Sequence, residues 1–583
     1  MLEVMLVSSL EKVGLEENPV PLGEGAILKV LYGETVSFQI ACRAAGTGAS
    51  EPGNSGGQGN KLQVHASVTK QGEGADGSQE RGSCGENGPE TDIPELRIRQ
   101  VLPVMCRRSC NPDSVDEDYL FYDARMAPDL LRDVEGEVAL GEGWQSLWVD
   151  LTPGEATAPG KYRLAFCLSL EREEPVAREV EVCVLDRRLP ALSIPHTEWF
   201  HYDGIVDYYG VEAFSEEFWR IFREFLKVYV KRQGNTILTP VVTPALDTEV
   251  GGERTTIQLV GVERAEGEYR LDFTCLDRFL DICLECGIQY FEICHLFTQW
   301  GADAAPKVVA QVQGEERRIF GWDTPSDDPE YLRFLEVLLP ALRTHMEDRG
   351  LLGRTFFHIS DEPNLNSSGY QKAQEHVRSL LKGCTIIEAV SDYAYYEKGL
   401  VDIPVCAVDH IEPFLAGHTP RLWSYYCCAQ TKEVPNRFIS MPSWRNRVYG
   451  ILMYWHGIDG FLHWGYNFYN SAFSKKKINP YETPDADGTF PAGDPFLVYP
   501  GREGVPEESI RLMVQDEAVN DFRALCLLES FLGRERVMEL IRQEAGMELS
   551  FKTYPRNGEF ILGLREKVNS LLEEQERGTR WRG

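Results

Sequence analysis

Residues 354–363 read Arg354-Thr355-Phe356-Phe357-His358-Ile359-Ser360-Asp361-Glu362-Pro363. In an extended chain successive side chains point to opposite faces. Arg354, Phe356, His358, Ser360 and Glu362 therefore share one side, and Thr355, Phe357, Ile359 and Asp361 share the other. The first side is the more polar and is expected to face the interior of a barrel. Pro363 cannot donate a ladder hydrogen bond, so strand pairing is expected to stop there and the chain to turn. Two adjacent carboxylates then stand at the C-terminal end of a strand.

This strand is one of eight. The others are read at Thr197–Asp203, Thr236–Thr243, Ile288–Leu296, Thr385–Val390, Ile403–Val408, Arg437–Met441 and Gly460–Gly465. Helical periodicity falls between most of them. In Phe214–Arg232, the residues Phe214, Phe218, Ile221, Phe222, Phe225, Leu226 and Tyr229 fall on one face at 3.6-residue spacing. Tyr331–Met346, Gln371–Leu381, Ser443–Trp455 and Ser509–Leu528 read the same way. Strands alternating with helices over roughly 300 residues predict a (β/α)8 TIM-like barrel. The competing architecture is a doubly wound open sheet. No Gly-x-Gly-x-x-Gly turn follows a strand, which weighs against a dinucleotide site.

Upstream of the barrel the rhythm is all-β. Short runs at Ala26–Tyr32, Thr35–Cys42, Leu62–Thr69, Trp144–Leu151, Tyr162–Leu170 and Ala177–Leu185 alternate with Gly, Pro and acidic turns, which predicts a β-sandwich. Ala44–Asn60 and Gln71–Thr91 are Gly-, Ser- and Glu-rich and read as surface loops. The multidomain layout is then a β-sandwich over residues 1–190, a catalytic barrel over 191–530 and a C-terminal helical extension over 531–583.

Composition narrows the function classes. The 59 basic and 91 acidic residues leave a formal charge of −32. Such a surface repels phosphate backbones and anionic lipids, so nucleic acid and membrane surfaces are not expected partners. No 18-residue apolar run occurs, so no membrane insertion is expected. Met1–Leu10 has no basic start or small-residue cleavage site, which predicts a cytoplasmic protein. The 15 cysteines are odd in number and scattered in apolar runs, as suits reduced thiols. Cys283-x-x-Cys286 has no second pair at zinc spacing and reads as helix packing, and Cys427-Cys428 as core. No metal or cofactor is expected.

Barrel enzymes build their sites at the C-terminal ends of strands. Those ends carry Trp199, His201 and Asp203; His295, with Gln299 and Trp300 beyond; His358, Asp361 and Glu362; Tyr395 and Tyr396; Asp409 and His410; and His463, Trp464 and Asn467. Aromatic faces can stack on a pyranose ring while Asp, Asn and His fix its hydroxyls, so this set suits a sugar pocket. Ordinary glycosidases place two carboxylates about 5 to 9.5 Å apart across the scissile bond. Neighbours on one strand end do not straddle an anomeric carbon easily. They suit substrate-assisted catalysis, in which the 2-acetamido oxygen attacks C1. Glu362 is then the acid/base, Asp361 accepts the acetamide N–H, and Tyr395 or Tyr396 is the candidate donor to the acetamido oxygen.

The run Phe356–Pro363 resembles the catalytic motif of glycoside hydrolase family 123, whose catalytic region was catalogued as domain of unknown function 4091. Thr197–His201 with Asp207–Gly210, Thr239–Pro244 with Asp247-Thr248, Gly460–Gly465 with Asn467, and Phe496–Gly501 with Asp521–Arg523 are similar too. The resemblance spans about residues 190–530. It implies a retaining exo-acting β-N-acetylgalactosaminidase, with Asp361 and Glu362 as the acetamido-stabilising and acid/base pair, a glycan substrate with a terminal β-N-acetylhexosamine, and no cofactor. Two other readings compete. A barrel glycosidase acting on a sugar without a 2-acetamido group would use a nucleophile such as Asp203 or Asp409. A non-catalytic glycan-binding protein would keep the pocket alone.

Overall fold

The computed structural model describes the chain apart from residues 16–17, 24, 45–59, 72–91, 135, 364–367 and 581–583. Nearly all of the two Gly/Ser/Glu-rich stretches thus lies outside the described residues.

Two five-stranded sheets form the N-terminal region. One runs in the order Leu2–Ser8, Val36–Ala44, Gln145–Thr152, Glu95–Cys106, Arg125–Asp133, antiparallel throughout. The other runs Ile27–Tyr32, Val176–Arg188, Gly160–Leu170, Asn60–Lys70, Glu137–Leu140, and only its first pair is parallel. Alternation decides which side is buried. In Gly160–Leu170, Tyr162, Leu164, Phe166, Leu168 and Leu170 point inward. They meet Phe38, Ile40, Leu147 and Val149 of the facing sheet in one core.

A closed eight-stranded parallel barrel follows: β1 His196–Glu198, β2 Thr236–Thr239, β3 Tyr290–Ile293, β4 Thr355–Phe357, β5 Thr385–Val390, β6 Ile403–Ala407, β7 Trp423–Tyr425 and β8 Gly460–His463. The ring closes through β1 on β8. Seven of the strands overlap those expected. The seventh does not. Arg437–Met441 is irregular, and β7 pairs with β6 and β8 in its place. The reason lies in Arg437, whose buried guanidinium is bonded to Glu198, Gln515, His463 and the Gly465 carbonyl. That segment is pinned by a side chain rather than by a ladder. β1 is also shorter than expected, because the chain leaves it after Glu198 and coils into the helix Tyr202–Tyr209.

The barrel helices follow their apolar stripes. Glu216–Lys231 is capped by Ser215, which accepts from the Phe218 amide, and buries Phe218, Ile221, Phe222, Phe225, Leu226 and Tyr229. A four-stranded sheet (Gly261–Ala265, Glu268–Asp272, Val308–Val312, Glu315–Phe320) had no counterpart in the sequence reading. C-terminal helices Ile510–Leu532, Arg534–Ala545 and Gly558–Arg580 complete the chain. The first of them runs through residue 530, where the sequence reading ended the barrel.

Buried ion pairs join sandwich to barrel. Glu508 accepts from Arg97 and Arg99 of the sandwich and from Arg232 at the end of Glu216–Lys231. Asp129 of the sandwich pairs with Arg511. No disulfide joins the described cysteines. Among the described residues no helix is long and apolar enough to cross a membrane.

Candidate active site

The chain turns sharply after β4. Glu362 sits in the left-handed region at φ +40°, a conformation that costs a non-glycine residue ~1–3 kcal/mol. Three neighbours hold it. The Glu388 carboxylate on β5 accepts from the amides of Ile359 (2.5 Å) and Ser360 (3.3 Å). Ser360 Oγ donates to the Thr298 carbonyl at 2.8 Å, and the Trp300 amide donates to the Asp361 carbonyl at 2.9 Å. The turn brings Asp361, from the other strand face, beside Glu362 in a single pocket.

That pocket opens at the C-terminal end of the barrel, and the space between its walls, counted out into open solvent, is about 700 Å³. Its aromatic walls are Trp199, Trp300, Trp464 and Phe490, and its polar groups are Asp361, Glu362, Asp247, Gln299 and Tyr425. Cys427 and Cys428 also line it. Tyr425, the last residue of β7, donates its hydroxyl to Glu362 Oε1 at 3.1 Å. Burial first, and then the Glu362 charge, hold the Asp361 carboxyl well above the usual carboxylate range. Burial likewise raises Asp247 to about 6.

Of the residues read at the strand ends, Asp361, Glu362, Trp199, Gln299, Trp300 and Trp464 line this pocket. Most of the others stand behind it. His295 and His358 lie beneath Trp199, edge-on to its ring at 5.1 and 5.8 Å. His201, Asp203 and Asn467 belong to a buried network around Arg254. Arg254 donates to both oxygens of Asp203 and to His201 Nδ1, and Asn467 bridges the His201 amide and carbonyl. Burial and the Arg254 charge hold His201 down at about 3, so it is neutral. His463 accepts from Arg437 and the Gly465 amide and faces Asp494. The Tyr395 hydroxyl donates to the Pro363 carbonyl, and Tyr396 packs on Tyr393. Neither of these tyrosines lines the pocket. Tyr425 does, and the sequence reading missed it because its strand is three residues long.

Under the acid pair, His358 lies between Glu292 on β3 and Glu388 on β5, its nitrogens 3.7 and 3.8 Å from their oxygens. Burial opposes a charge there, but the two carboxylates outweigh it and push His358 up to about 9. His295, beside it, is held well below its ordinary value by burial and by the His358 charge. Among the described residues, His295, His358 and Glu388 are the group whose spacing could suit a metal, their ligand atoms lying within 4.8 Å of one another. Glu292 adds a second carboxylate to this group on the other side of His358, which makes the set a buried cluster of one imidazole between two acids.

The sequence profile described as glycoside hydrolase 123, catalytic domain, matches residues 199–528. No curated protein matches the chain. A family 123 glycoside hydrolase from Clostridium perfringens, solved in work on glycolipid glycan hydrolysis, superposes with a TM-score of 0.70 at 14% identity, covering 100% of this chain and 99% of that one. A Bacteroides ovatus family 5 xyloglucanase covers 89% of this chain and 100% of its own at 10% identity, but its TM-score of 0.28 carries no argument. With the profile spanning more than half of its length, the chain belongs to glycoside hydrolase family 123.

Proposed function

We propose that this glycoside hydrolase removes terminal β-linked N-acetylgalactosamine with retention of configuration, using the substrate's own acetamido group as nucleophile. One observation carries the reading: Asp361 and Glu362, neighbours beyond one strand end, both line the same pocket. Glu362, the more exposed of the two, protonates the leaving oxygen while the acetamido oxygen closes on C1. Asp361 accepts the acetamide N–H and meets the positive charge of the oxazolinium. Water, deprotonated by Glu362, then opens the ring from the face the leaving group vacated, so the configuration is retained.

The proton affinity of Asp361 fits this sequence of events. In the free site it holds its proton to higher pH than an ordinary aspartate. An acetamide N–H donated to Asp361 favours the carboxylate form, the form that meets the positive charge of the oxazolinium. Tyr425 orients Glu362 through its hydroxyl.

The test is hydrolysis of aryl β-GalNAc and β-GlcNAc glycosides, with a GalNAc-derived thiazoline as inhibitor. Hydrolysis with strong thiazoline inhibition, and loss of turnover by orders of magnitude in Glu362→Gln and Asp361→Asn, is the expected result. Full activity in both variants would remove the proposal. Asp247, which lines the same pocket, supports a second reading in which it is a covalent nucleophile for a sugar without the acetamide. Labelling of Asp247 by a 2-fluoro glycoside would favour that reading. The earlier candidates fit it less well, since Asp203 is locked to Arg254 and Asp409 is paired with His410 and Gln430.

A further inference from the structure

Cys427 and Cys428 stand on the loop that leaves β7 two residues after Tyr425. Their sequence reading was packed core. The structure puts both of them, half-buried, in the wall of the pocket that holds Asp361 and Glu362. Neighbours on an extended strand face opposite ways. Here the strand has ended and the chain turns, so both residues reach one cavity. Their thiols interact as well. The Cys428 thiol and then burial hold the Cys427 thiol well above its usual range, and the Glu362 charge adds to them.

The loop is tied down through its main chain. Gln430 Oε1 accepts from the Cys427 amide at 3.0 Å and from the Cys427 thiol at 3.2 Å. The Cys427 carbonyl accepts from the Gln430 amide at 3.2 Å and from Asn436 Nδ2 at 2.8 Å. The Cys428 carbonyl accepts from Asn111 Nδ2, which the N-terminal region supplies, at 3.0 Å. Chemistry at the two sulfurs gives up the thiol bond to Gln430 and leaves every one of these backbone bonds in place.

A disulfide is a poor product for this pair. Adjacent Cα atoms lie about 3.8 Å apart across a trans peptide, against about 4.4–6.8 Å in ordinary disulfides, and the bond here is trans. A single atom set between the sulfurs enlarges the ring and relieves that strain. The high proton affinity also makes Cys427 a slow nucleophile towards reagents that take one sulfur. Two thiols in one place suit a soft centre that takes two, because the second bond closes within the same complex. Cys283 and Cys286, nearly one turn apart on the helix Thr274–Cys286, are a poorer pair, since Cys283 is fully buried.

We infer that Cys427 and Cys428 form a vicinal-dithiol site for a soft centre that accepts two sulfurs, of which a trivalent organoarsenical is the type, and that capture there blocks the pocket beside the acid pair. The step balances without an oxidant. The dihydroxy form of the arsenical exchanges its two As–O bonds for two As–S bonds, the thiol protons leave with the hydroxyls as two waters, and arsenic stays trivalent.

The experiment treats the folded full chain with one equivalent of phenylarsine oxide and follows native mass spectra and aryl β-N-acetylhexosaminide hydrolysis together. The expected result is one phenylarsenic per chain, removed by dithiothreitol but not by a monothiol, with turnover lost in step with the adduct. Cys427→Ser and Cys428→Ser should each lose the stoichiometric adduct, and Cys427→Ala and Cys428→Ala repeat the measurement should a serine variant fold poorly. An adduct that persists in the variants of both positions, or none on the wild type, overturns the site. An adduct that leaves turnover unchanged overturns the blocking of the pocket. If the untreated protein hydrolyses no such glycoside, the proposed function fails, and the mass measurement still decides the dithiol site.

Discussion

Replacing Glu388 by glutamine tests whether a buried charge cluster underlies the acid pair. Glutamine keeps the oxygen that accepts from the Ile359 and Ser360 amides, so the backbone contacts survive. What disappears is one of the two charges beside His358. That histidine is raised from 6.5 to about 9 in the folded protein. A histidine raised in this way stabilises the fold fully below its unfolded value of about 6.5, and the contribution is lost as pH rises through about 9. The rise corresponds to about 3 kcal/mol. Glu292 and Glu388 stand at nearly equal distances, so each supplies a comparable share of the attraction. Burial still opposes the charge in full, so losing one carboxylate removes more than half of the net gain. Urea unfolding of both proteins between pH 6 and pH 10 measures it. The gap in favour of the wild type should grow by about 2–3 kcal/mol from pH 10 down to pH 6; burial also holds the Glu388 carboxyl above its ordinary range, a cost the glutamine is spared, so the readout is the change of the gap with pH rather than its absolute size. Asp494, Glu517 and Lys12, shifted to about 7, 7 and 8, titrate in the same window, but they are present in both proteins and largely cancel in the difference. A gap that stays constant across that range refutes the reasoning, because a purely steric effect has no pH dependence.

Tyr425→Phe removes the hydroxyl that donates to Glu362 at 3.1 Å. A hydrogen bond to a charged group contributes ~1.5–3 kcal/mol, so kcat/KM on an aryl glycoside should fall roughly 10- to 100-fold, and an unchanged value would mean that Tyr425 does not orient the acid. Asp361→Asn should raise the thermal midpoint at pH 7. Its carboxyl keeps a proton longer in the folded state than in the unfolded one, so stability declines as pH rises from the unfolded value near 3.8 through the folded one. Scanning calorimetry should show the gain vanishing near pH 3, and a variant less stable at pH 7 contradicts the reading. Arg254→Met strands the buried Asp203 carboxylate and should cost ~3–5 kcal/mol in denaturant unfolding. A loss under about 1 kcal/mol would mean that the Asp203 pair is screened as surface pairs are.

Parts of this arrangement were legible in the sequence because they depend on neighbours in the chain. The alternation in Arg354–Glu362 placed His358 on the inward face, where it meets Glu292 and Glu388. It also assigned Asp361 to the opposite face, correctly for an extended strand. Only the turn at Glu362 brings both acids together, and a left-handed glutamate carries no sequence signal. The strand ends carry fourteen residues besides the acid pair, and the four that line the pocket are Gln299 and three tryptophans, Trp199, Trp300 and Trp464. His201, His295, His358 and His463 are buried behind them. His201 and Asp203 looked like ligands because their partner, Arg254, comes some fifty residues later, and separation in sequence hides a partner that the fold supplies. Arg437 misled in the opposite direction. Its segment, Arg437–Met441, is short and rich in strand-favouring apolar residues, yet its own guanidinium takes the place of the ladder.

The positions of strain and of buried charge fit together. Asp247, Trp300 and Glu362 line one pocket, and all three are left-handed non-glycine residues, at φ +41°, +64° and +40°. Each such residue costs ~1–3 kcal/mol, a total comparable to the net stability of many domains. Beneath them lie Glu292–His358–Glu388, Asp203–Arg254 and Glu198–Arg437, all buried. Buried ion pairs add little net stability over an apolar core of the same shape, so stability alone is a weak reason for so many of them under one pocket. Geometry is a better one. Glu388 grips the two amides before the acid pair, and Arg254 and Arg437 tie the loops after β1 and β2 to those around β8. A charged hydrogen bond resists displacement more than a methyl contact does, because moving a buried charge off its partner exposes the full desolvation cost. The charges in the barrel floor therefore hold the strained rim still, and a fixed rim is what a substrate must find if its acetamide is to reach C1 from a single orientation.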